Sequence, residues 1–396
     1  MRVSPQSRHS FAEVRTKLGA FDRFLLLYCA LFAAFGVASP FLPALLHQRG
    51  LGPSEIGAVL AAGTAIRLIT GPVISRLADR LGKHQQILTA LLAAAAVIAF
   101  GYSLPAAFAI FLIVSVAHAS TLAPIVPIAD AMTLAAAPGR FQYGWVRGGA
   151  SAAFVVGAVG AGQVVQATSF GSIIWMNGTL LALAAVAALW LPRNTLDRPA
   201  APRRGDVRAL LAAPGFLPLM ALAALVMSSH ALHDGFEVLR WADGGIGPGA
   251  AGLLWSEGVL AEVVVFVAVG PALLKRLGPA GAAALAASAG VIRWSVTAVT
   301  AWLPAMVLVE PLHGLTFALL HLACVQMLSV VAPPALAATA QGIYGGVAVG
   351  TMTAIMTLVS GPLYGAFGPR AFWFMALLCA AALPIAFAMR RMSMKA

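Results

Sequence analysis

The stretch EPLHGLTFALLH, Glu310 to His321, sets one carboxylate and two imidazoles between long apolar runs. Arg67, Asp130, Arg147, Glu257, Glu262 and Arg293 are placed in the same way, which makes seven charged side chains embedded in apolar sequence. Groups of these types, isolated from water, can exchange protons, pair with one another or hold a polar solute. Fully ionised, they would carry three positive and four negative charges. A guanidinium keeps its proton, so the excess is removed most cheaply by protonating one carboxylate. Proton coupling needs a carboxyl held near that balance.

Helical winding gathers part of this set. At about 100° per residue, His321 falls roughly 20° from Glu310, Phe317 about 20° to the other side and His313 about 60° away. On one reading this face lines a cavity, with Glu310 as proton acceptor, His313 and His321 as relay or solute donors, and Phe317 as an apolar wall. On the other the imidazoles join helices, a contact worth roughly 0.6–2 kcal/mol. Trp255 and Glu262 share a face as well, whereas Glu257 and Glu262 stand about 140° apart. Pairing of Glu262 with Arg293 is the favoured arrangement.

The elements that must position these groups are membrane helices. Of 396 residues, 61% are hydrophobic and 10% charged, and the mean hydropathy is +0.91, far from a soluble domain. Runs long enough to cross about 30 Å of hydrocarbon recur, without the short alternation of an outer-membrane barrel. The expected spans are 22–47, 54–78, 84–103, 105–136, 143–168, 172–191, 214–241, 249–274, 280–302, 304–331, 335–365 and 368–390. The fold class is therefore all-α membrane protein with twelve crossings. Arg2, Arg8, Arg15, Lys17, Arg23, Arg76, Arg80, Lys83, Arg140, Arg193, Arg198, Arg203, Arg204, Arg208, Lys275, Arg276, Arg390, Arg391 and Lys395 all fall on the side of the N-terminus, while Arg49, Arg240 and Arg370 fall outside it. Such a bias puts both termini in the cytoplasm, and it accounts for the net charge of +12 by topology and anionic lipid rather than nucleic acid. The cysteines, Cys29, Cys324 and Cys379, are odd in number and lie within spans, so no disulfide framework is expected. The first twenty residues lack the apolar core of a cleavable signal.

PRNTLDRPAAPRRGDVR, Pro192 to Arg208, separates two sets of six spans. It predicts a bundle over 1–191, a cytoplasmic linker over 192–213 and a second bundle over 214–396. GPVISRLADRLGKH at 71–84 and GPALLKRLGPAG at 270–281 follow the second and eighth spans, as in a degenerate repeat. Paired six-helix repeats with a site near the membrane midplane are a known transporter plan.

SRLADRLGKH at 75–84 resembles the loop motif between the second and third helices of the major facilitator superfamily, with Ser75 where glycine is usual. Within it the chain resembles the phenylpropionate permease group, on PIVPIADAM (124–132), YGWVRGGASAAFVVG (143–157), WSEGVLAEVVVF (255–266), GVIRWSVTAVT (290–300), LHGLTFALLHLA (312–323) and QGIYGGVAVG (341–350). The resemblance implies two bundles related by pseudo-two-fold symmetry and proton-coupled import of a small aromatic carboxylate by rocker-switch alternating access. It also implies that Asp79 and Arg80 act as a gate, Asp79 capping a helix of the other half and holding the inside shut. Glu257 stands where the group has an apolar residue and Glu310 where glutamine is common, which adds acid to the second half.

Asp130 and Arg147 resemble the acid and arginine that grip the solute in sugar–proton symporters of the superfamily; a structural ion pair is the alternative. Arg67 has no partner within its half and either reads a substrate carboxylate or pairs with an acid across the interface. Arg293, Trp255, Trp294, His313 and Phe317 complete the expected binding set, and Glu310, Glu262, Glu257 and His321 the proton set. His230 faces the vestibule as donor or gate, and Asp234 and Glu237 are solvated. His230, His233 and Asp234 lack further ligands of zinc spacing, so no metal and no cofactor are expected. His118 and His47 have no acidic neighbours and suit packing or interfacial roles. The glycines of GIYGGVAVG, 342–350, suit close helix packing rather than a phosphate loop. No nucleophile elbow or paired metal motif supports an intramembrane enzyme. A nucleoside or sugar symporter, a proton-antiport exporter and a non-transporting sensor are the rival functions. The expected partners are a small organic solute, protons and the lipid of an inner membrane, with the monomer as functional unit.

Overall fold

The computed structural model describes residues 18–105, 107–192, 207–333 and 336–393. Among them no strand occurs, as the membrane requires: only a helix meets its backbone hydrogen bonds alone in lipid. The first six crossings are α1 Ala20–Gln48, α2 Pro53–Leu81, α3 His84–Ser103, α4 Phe108–Ala136, α5 Tyr143–Ala167 and α6 Ser172–Leu189. A short helix, Val207–Ala212, precedes α7, Phe216–Asp243. Pro248–Val299 runs for 52 residues but breaks at Gly278, whose φ of 69° leaves the helical region, so it forms α8 (248–277) and α9 (279–299). α10 is Leu303–Val331. Thr339–Arg391 is likewise two crossings, because Gly368 takes a φ of 55°; they are α11 (339–367) and α12, Phe372–Ser393. Glycine is needed at both breaks, since a positive φ costs any side chain with a Cβ. The result is two six-helix bundles. Of the expected linker over 192–213, residues 193–206 lie outside the described residues and Val207–Ala212 forms the short helix; the basic residues Arg2, Arg8, Arg15, Lys17, Arg193, Arg198, Arg203, Arg204 and Lys395 also lie outside the described residues.

Large apolar side chains on the outer surface, Trp145, Trp175, Leu308 and Val330 among them, face the hydrocarbon. One core cluster, with Phe24, Leu31, Leu92 and Ile128, belongs to the first bundle alone. The other joins residues of both bundles, including Phe41, Ile56, Ala161 and Val165 with Phe236, Ala251 and Leu254. The bundles therefore meet at the end where α1 and α5 finish and α2 and α8 begin, the sealed end.

Glycines make that closure possible. On α5 and α8, a Cβ at Gly252 would lie 2.6 Å from the Ala158 carbonyl oxygen and 3.3 Å from the Cα of Gly162. On α2 and α11, a Cβ at Gly57 would lie 2.9 Å from the Cα of Gly361. Gln166 fastens the first pair, accepting from the Gly249 N–H at 2.9 Å. Gly252→Val is expected to open this end. Thiol labelling of a cysteine placed near Gln166 should rise severalfold in that variant; unchanged labelling would show that the helices part without these glycines. Gly144 and Gly148 of α5 and Gly342, Gly345 and Gly346 of α11, by contrast, face open space toward the other end. The expected close-packing role of the 342–350 glycines is corrected accordingly: Gly350 approaches Leu68, but Gly342, Gly345 and Gly346 have no neighbour within 4 Å, and the packing of this run is made by buried Tyr344 instead.

Candidate functional site

Between the bundles lies a cavity of about 510 Å³. The first bundle contributes Phe32 and Phe35 of α1, Arg67 of α2, His118 of α4, Arg147 and Phe154 of α5 and Asn177 of α6. The second contributes His233 and Asp234 of α7, Trp255 and Glu262 of α8, Arg293 of α9, and Glu310 and His313 of α10. Seven residues singled out from sequence share this wall: Arg67, Arg147, Trp255, Glu262, Arg293, Glu310 and His313.

On the second bundle the polar side chains form one chain. Asp234 Oδ1 accepts from His233 Nδ1 at 3.1 Å, and His233 Nε2 stands 3.6 Å from Glu310 Oε2. That oxygen accepts from Arg293 at 2.6 Å, Arg293 donates its other terminal nitrogen to His313 Nδ1 at 2.8 Å, and His313 Nε2 meets Glu262 Oε1 at 2.6 Å. Arginine has donors only, so His313 Nδ1 is the acceptor and the ring proton is on Nε2, directed at Glu262. A proton added to His313 Nδ1 would expel Arg293. Arg293 is fully buried and lies over Trp294, 4.5 Å from the ring centre.

Backbone geometry explains the double grip. Residues 310–312 form a 3₁₀ turn, in which side chains three apart eclipse, so Glu310 and His313 stand one above the other and one guanidinium reaches both. The sequence expectation that Glu262 pairs with Arg293 is thereby corrected: Glu310 takes that place, and Glu262 receives His313.

Asp130 accepts a very short hydrogen bond from the Tyr28 hydroxyl and stands 3.8 Å from Arg147, which lies over Phe32 at 4.9 Å. Asp130 itself does not line the cavity. Arg67 opens into the cavity and makes no hydrogen bond or ion pair with any described residue.

Other expectations are corrected. Residues 314–319 form a π-helical turn, which winds by less than an α-helix and carries His321 off the shared face. It bonds the Tyr344 hydroxyl at 3.1 Å and stands beside Phe266, outside the cavity. Phe317 stacks on His313 but does not line the cavity. Glu257 is half-buried on α8, away from it. His230 is no gate to a vestibule: it is 5% exposed, with Nδ1 directed at the Met227 carbonyl and Nε2 at Thr316. Asp79 bonds His84 of its own bundle at 2.9 Å and Arg80 is exposed, at the end where the bundles stand apart, so the expected gate contact, which belongs to the state closed at that end, is not contradicted. Asp234 does face the cavity, but Glu237 is fully buried, and neither carboxyl oxygen has a hydrogen-bond partner. Phe236 stacks on Tyr364 and Trp241 is buried beside it, so the end of α7 is packed rather than solvated.

Sequence reading missed His233, which links Asp234 to Glu310 and stacks on Trp255 at 4.6 Å. Its i, i+1 contact with Asp234 was the available signal. The walls Phe32, Phe35 and Phe154 carried none, because aromatic residues are ordinary in membrane helices. Among the described residues no cluster could hold a metal ion.

The model of the MFS_1 like family matches residues 23–375. The chain belongs to this major facilitator family. It is 30% identical over 368 residues to the "Probable 3-phenylpropionic acid transporter" of Escherichia coli (strain K12), covering 91% of this chain and 94% of that one. It is 27% identical over 345 residues to the "Maltose permease" of Geobacillus stearothermophilus, covering 86% of each. Among solved structures, the nucleoside transporter NupG superposes with a TM-score of 0.75 at 15% identity, over 95% of this chain and 99% of that one. A bacterial homolog of the human lysosomal transporter Spinster, inward-facing and occupied, gives 0.73 at 15% identity, over 94% and 96%. The two structures establish the major facilitator fold, and the family makes this chain a multi-pass membrane transporter of small molecules, not an enzyme.

Proposed function

We propose that this major facilitator protein imports a small aromatic monocarboxylate together with protons, by rocker-switch alternating access. One observation carries the reading: Arg67 presents an unpaired guanidinium to a cavity walled by Phe32, Phe35, Phe154 and Trp255. A cation open to a cavity and without a counter-charge is completed by an anionic ligand, and a carboxylate matches its fork. The aromatic walls suit a ring, and the E. coli relative is described as a transporter of such an acid. Protons would be carried by the chain from Asp234 to Glu262, with Glu310 or Glu262 as the titrating acid. Arg147 and Asp130 would complete the binding set.

In this reading both termini lie in the cytoplasm of an inner membrane, which the bias of Lys and Arg supports, and the monomer is the functional unit. The sealed end is then periplasmic, the structure is inward-facing, and Asp79 and Arg80 engage the other bundle in the opposite state. Sugar symport is the second reading, favoured by the similarity to a maltose permease. A thermal-shift panel of 3-phenylpropionate, cinnamate, benzoate, nucleosides and disaccharides separates the two, since a ligand of the folded state raises its apparent stability. Stabilisation by the aryl acids alone is the expected result; stabilisation by disaccharides alone overturns the proposal.

A further inference from the structure

Beside the main cavity lies a smaller pocket of about 170 Å³, lined from α1, α2, α3, α4, α7 and α11. Arg67, His118 and Asp234 belong to the walls of both. We propose that this pocket is the seat of the substrate's carboxylate, while the aromatic ring stays in the main cavity. The inference rests on the aryl-carboxylate reading and adds where each part of the molecule goes.

The pocket offers polar groups that hydrogen-bond to no described residue. Arg67 is unpaired. His118 is 6% exposed, and its Nε2 is buried with no hydrogen-bond partner. A buried ring nitrogen left without a partner costs about 1–3 kcal/mol, and a ligand oxygen would remove that cost. The Thr353 hydroxyl is unengaged too. The hydroxyls of Thr64, Ser115 and Thr357, by contrast, already donate to the carbonyls of Leu60, Val59 and Thr353. Arg67 and His118 of one bundle and Thr353 of the other thus line one pocket with unused polar groups, so a carboxylate that takes the His118 Nε2 proton here would bridge the halves.

Two further titratable groups face the seat. Tyr102 lies edge-on to His118, ring centres 6.0 Å apart. Asp234 is the one carboxylate in the wall, and it is held by His233 Nδ1 at 3.1 Å. Two carboxylates in one pocket are mutually unfavourable until a proton joins them. Arrival of the solute therefore calls for a proton at the head of the chain that leads to Glu310 and Glu262. The seat and the ring chamber adjoin at Arg67, His118 and Asp234, so a carboxyl on a flexible spacer reaches the seat while the ring stays in the chamber; benzoate, with its carboxyl on the ring, does not fill both.

The test is equilibrium binding to the full-length protein in lipid nanodiscs, with 3-phenylpropionate, benzoate and 3-phenylpropionamide as probes. Wild type is expected to bind 3-phenylpropionate at least about tenfold more tightly than benzoate. His118→Ala and Thr353→Val should each weaken 3-phenylpropionate about tenfold and leave benzoate and the amide unchanged. Thr353 is half-buried and its hydroxyl unbonded, so its variant tests the seat even if His118→Ala fails to fold. Wild-type affinity for 3-phenylpropionate in the folded variants, or equal loss for benzoate, overturns the seat alone. Failure of wild type to bind any acid overturns the aryl-carboxylate reading and the seat with it.

Discussion

Replacing Arg67 with glutamine is expected to weaken 3-phenylpropionate binding by roughly 30- to 1,000-fold, or about 2–4 kcal/mol, the usual cost of removing the charged partner of a bound carboxylate. The uncharged amide should bind nearly as before. The variant is informative because Arg67 makes no ion pair with a described residue, so its removal strands no buried acid. Arg293 differs: deleting it would leave Glu310, 1% exposed, without its counter-charge, a loss of about 3–5 kcal/mol that falls on the fold. Arg67→Lys should recover part of the affinity through its charge and lose the geometry of the fork. Calorimetric titration of the three proteins would check this. Equal affinity in wild type and Arg67→Gln would place the carboxylate elsewhere.

Glu310→Gln is expected to abolish accumulation driven by a pH gradient, bringing the inside-to-outside ratio close to one, while exchange of preloaded substrate persists within a few fold. The amide retains an oxygen that can accept from Arg293, so the double grip on Glu310 and His313 survives in shape. It cannot take up a proton, so the step that links the solute to the gradient is removed. Counterflow and gradient-driven uptake in the same proteoliposomes separate these effects. Normal accumulation by the variant would remove Glu310 from the proton role and leave Glu262, which receives the His313 proton, as the titrating acid.

The fold was readable because lipid imposes a coarse rule: apolar runs of sufficient length become helices, and Gly278 and Gly368 sit where two such runs turn back. Much of the cavity was readable too, since a charge such as Arg67, Glu262 or Arg293 survives in an apolar run only where something polar receives it. What failed was anything that depended on helical phase. The 3₁₀ turn at 310–312 and the π turn at 314–319 move His313 over Glu310 and take His321 away. A uniform 100° per residue cannot foresee either. Glu237 misled for another reason: position near a helix end suggests water, whereas packing of Phe236 on Tyr364 shuts it in. His118 looked inert because the pocket it lines is assembled from six helices of both bundles, which no local pattern reveals.

Solute and proton are held here to meet in one chamber between the bundles, so their fluxes must be linked one to the other. Simultaneous recording of internal pH and labelled 3-phenylpropionate in proteoliposomes, without any imposed gradient, tests that link most directly. Adding the acid anion outside should draw protons inward with it, and Arg67→Gln should silence both signals. Uptake of the anion with no proton movement, or proton movement that persists in Arg67→Gln, would contradict it.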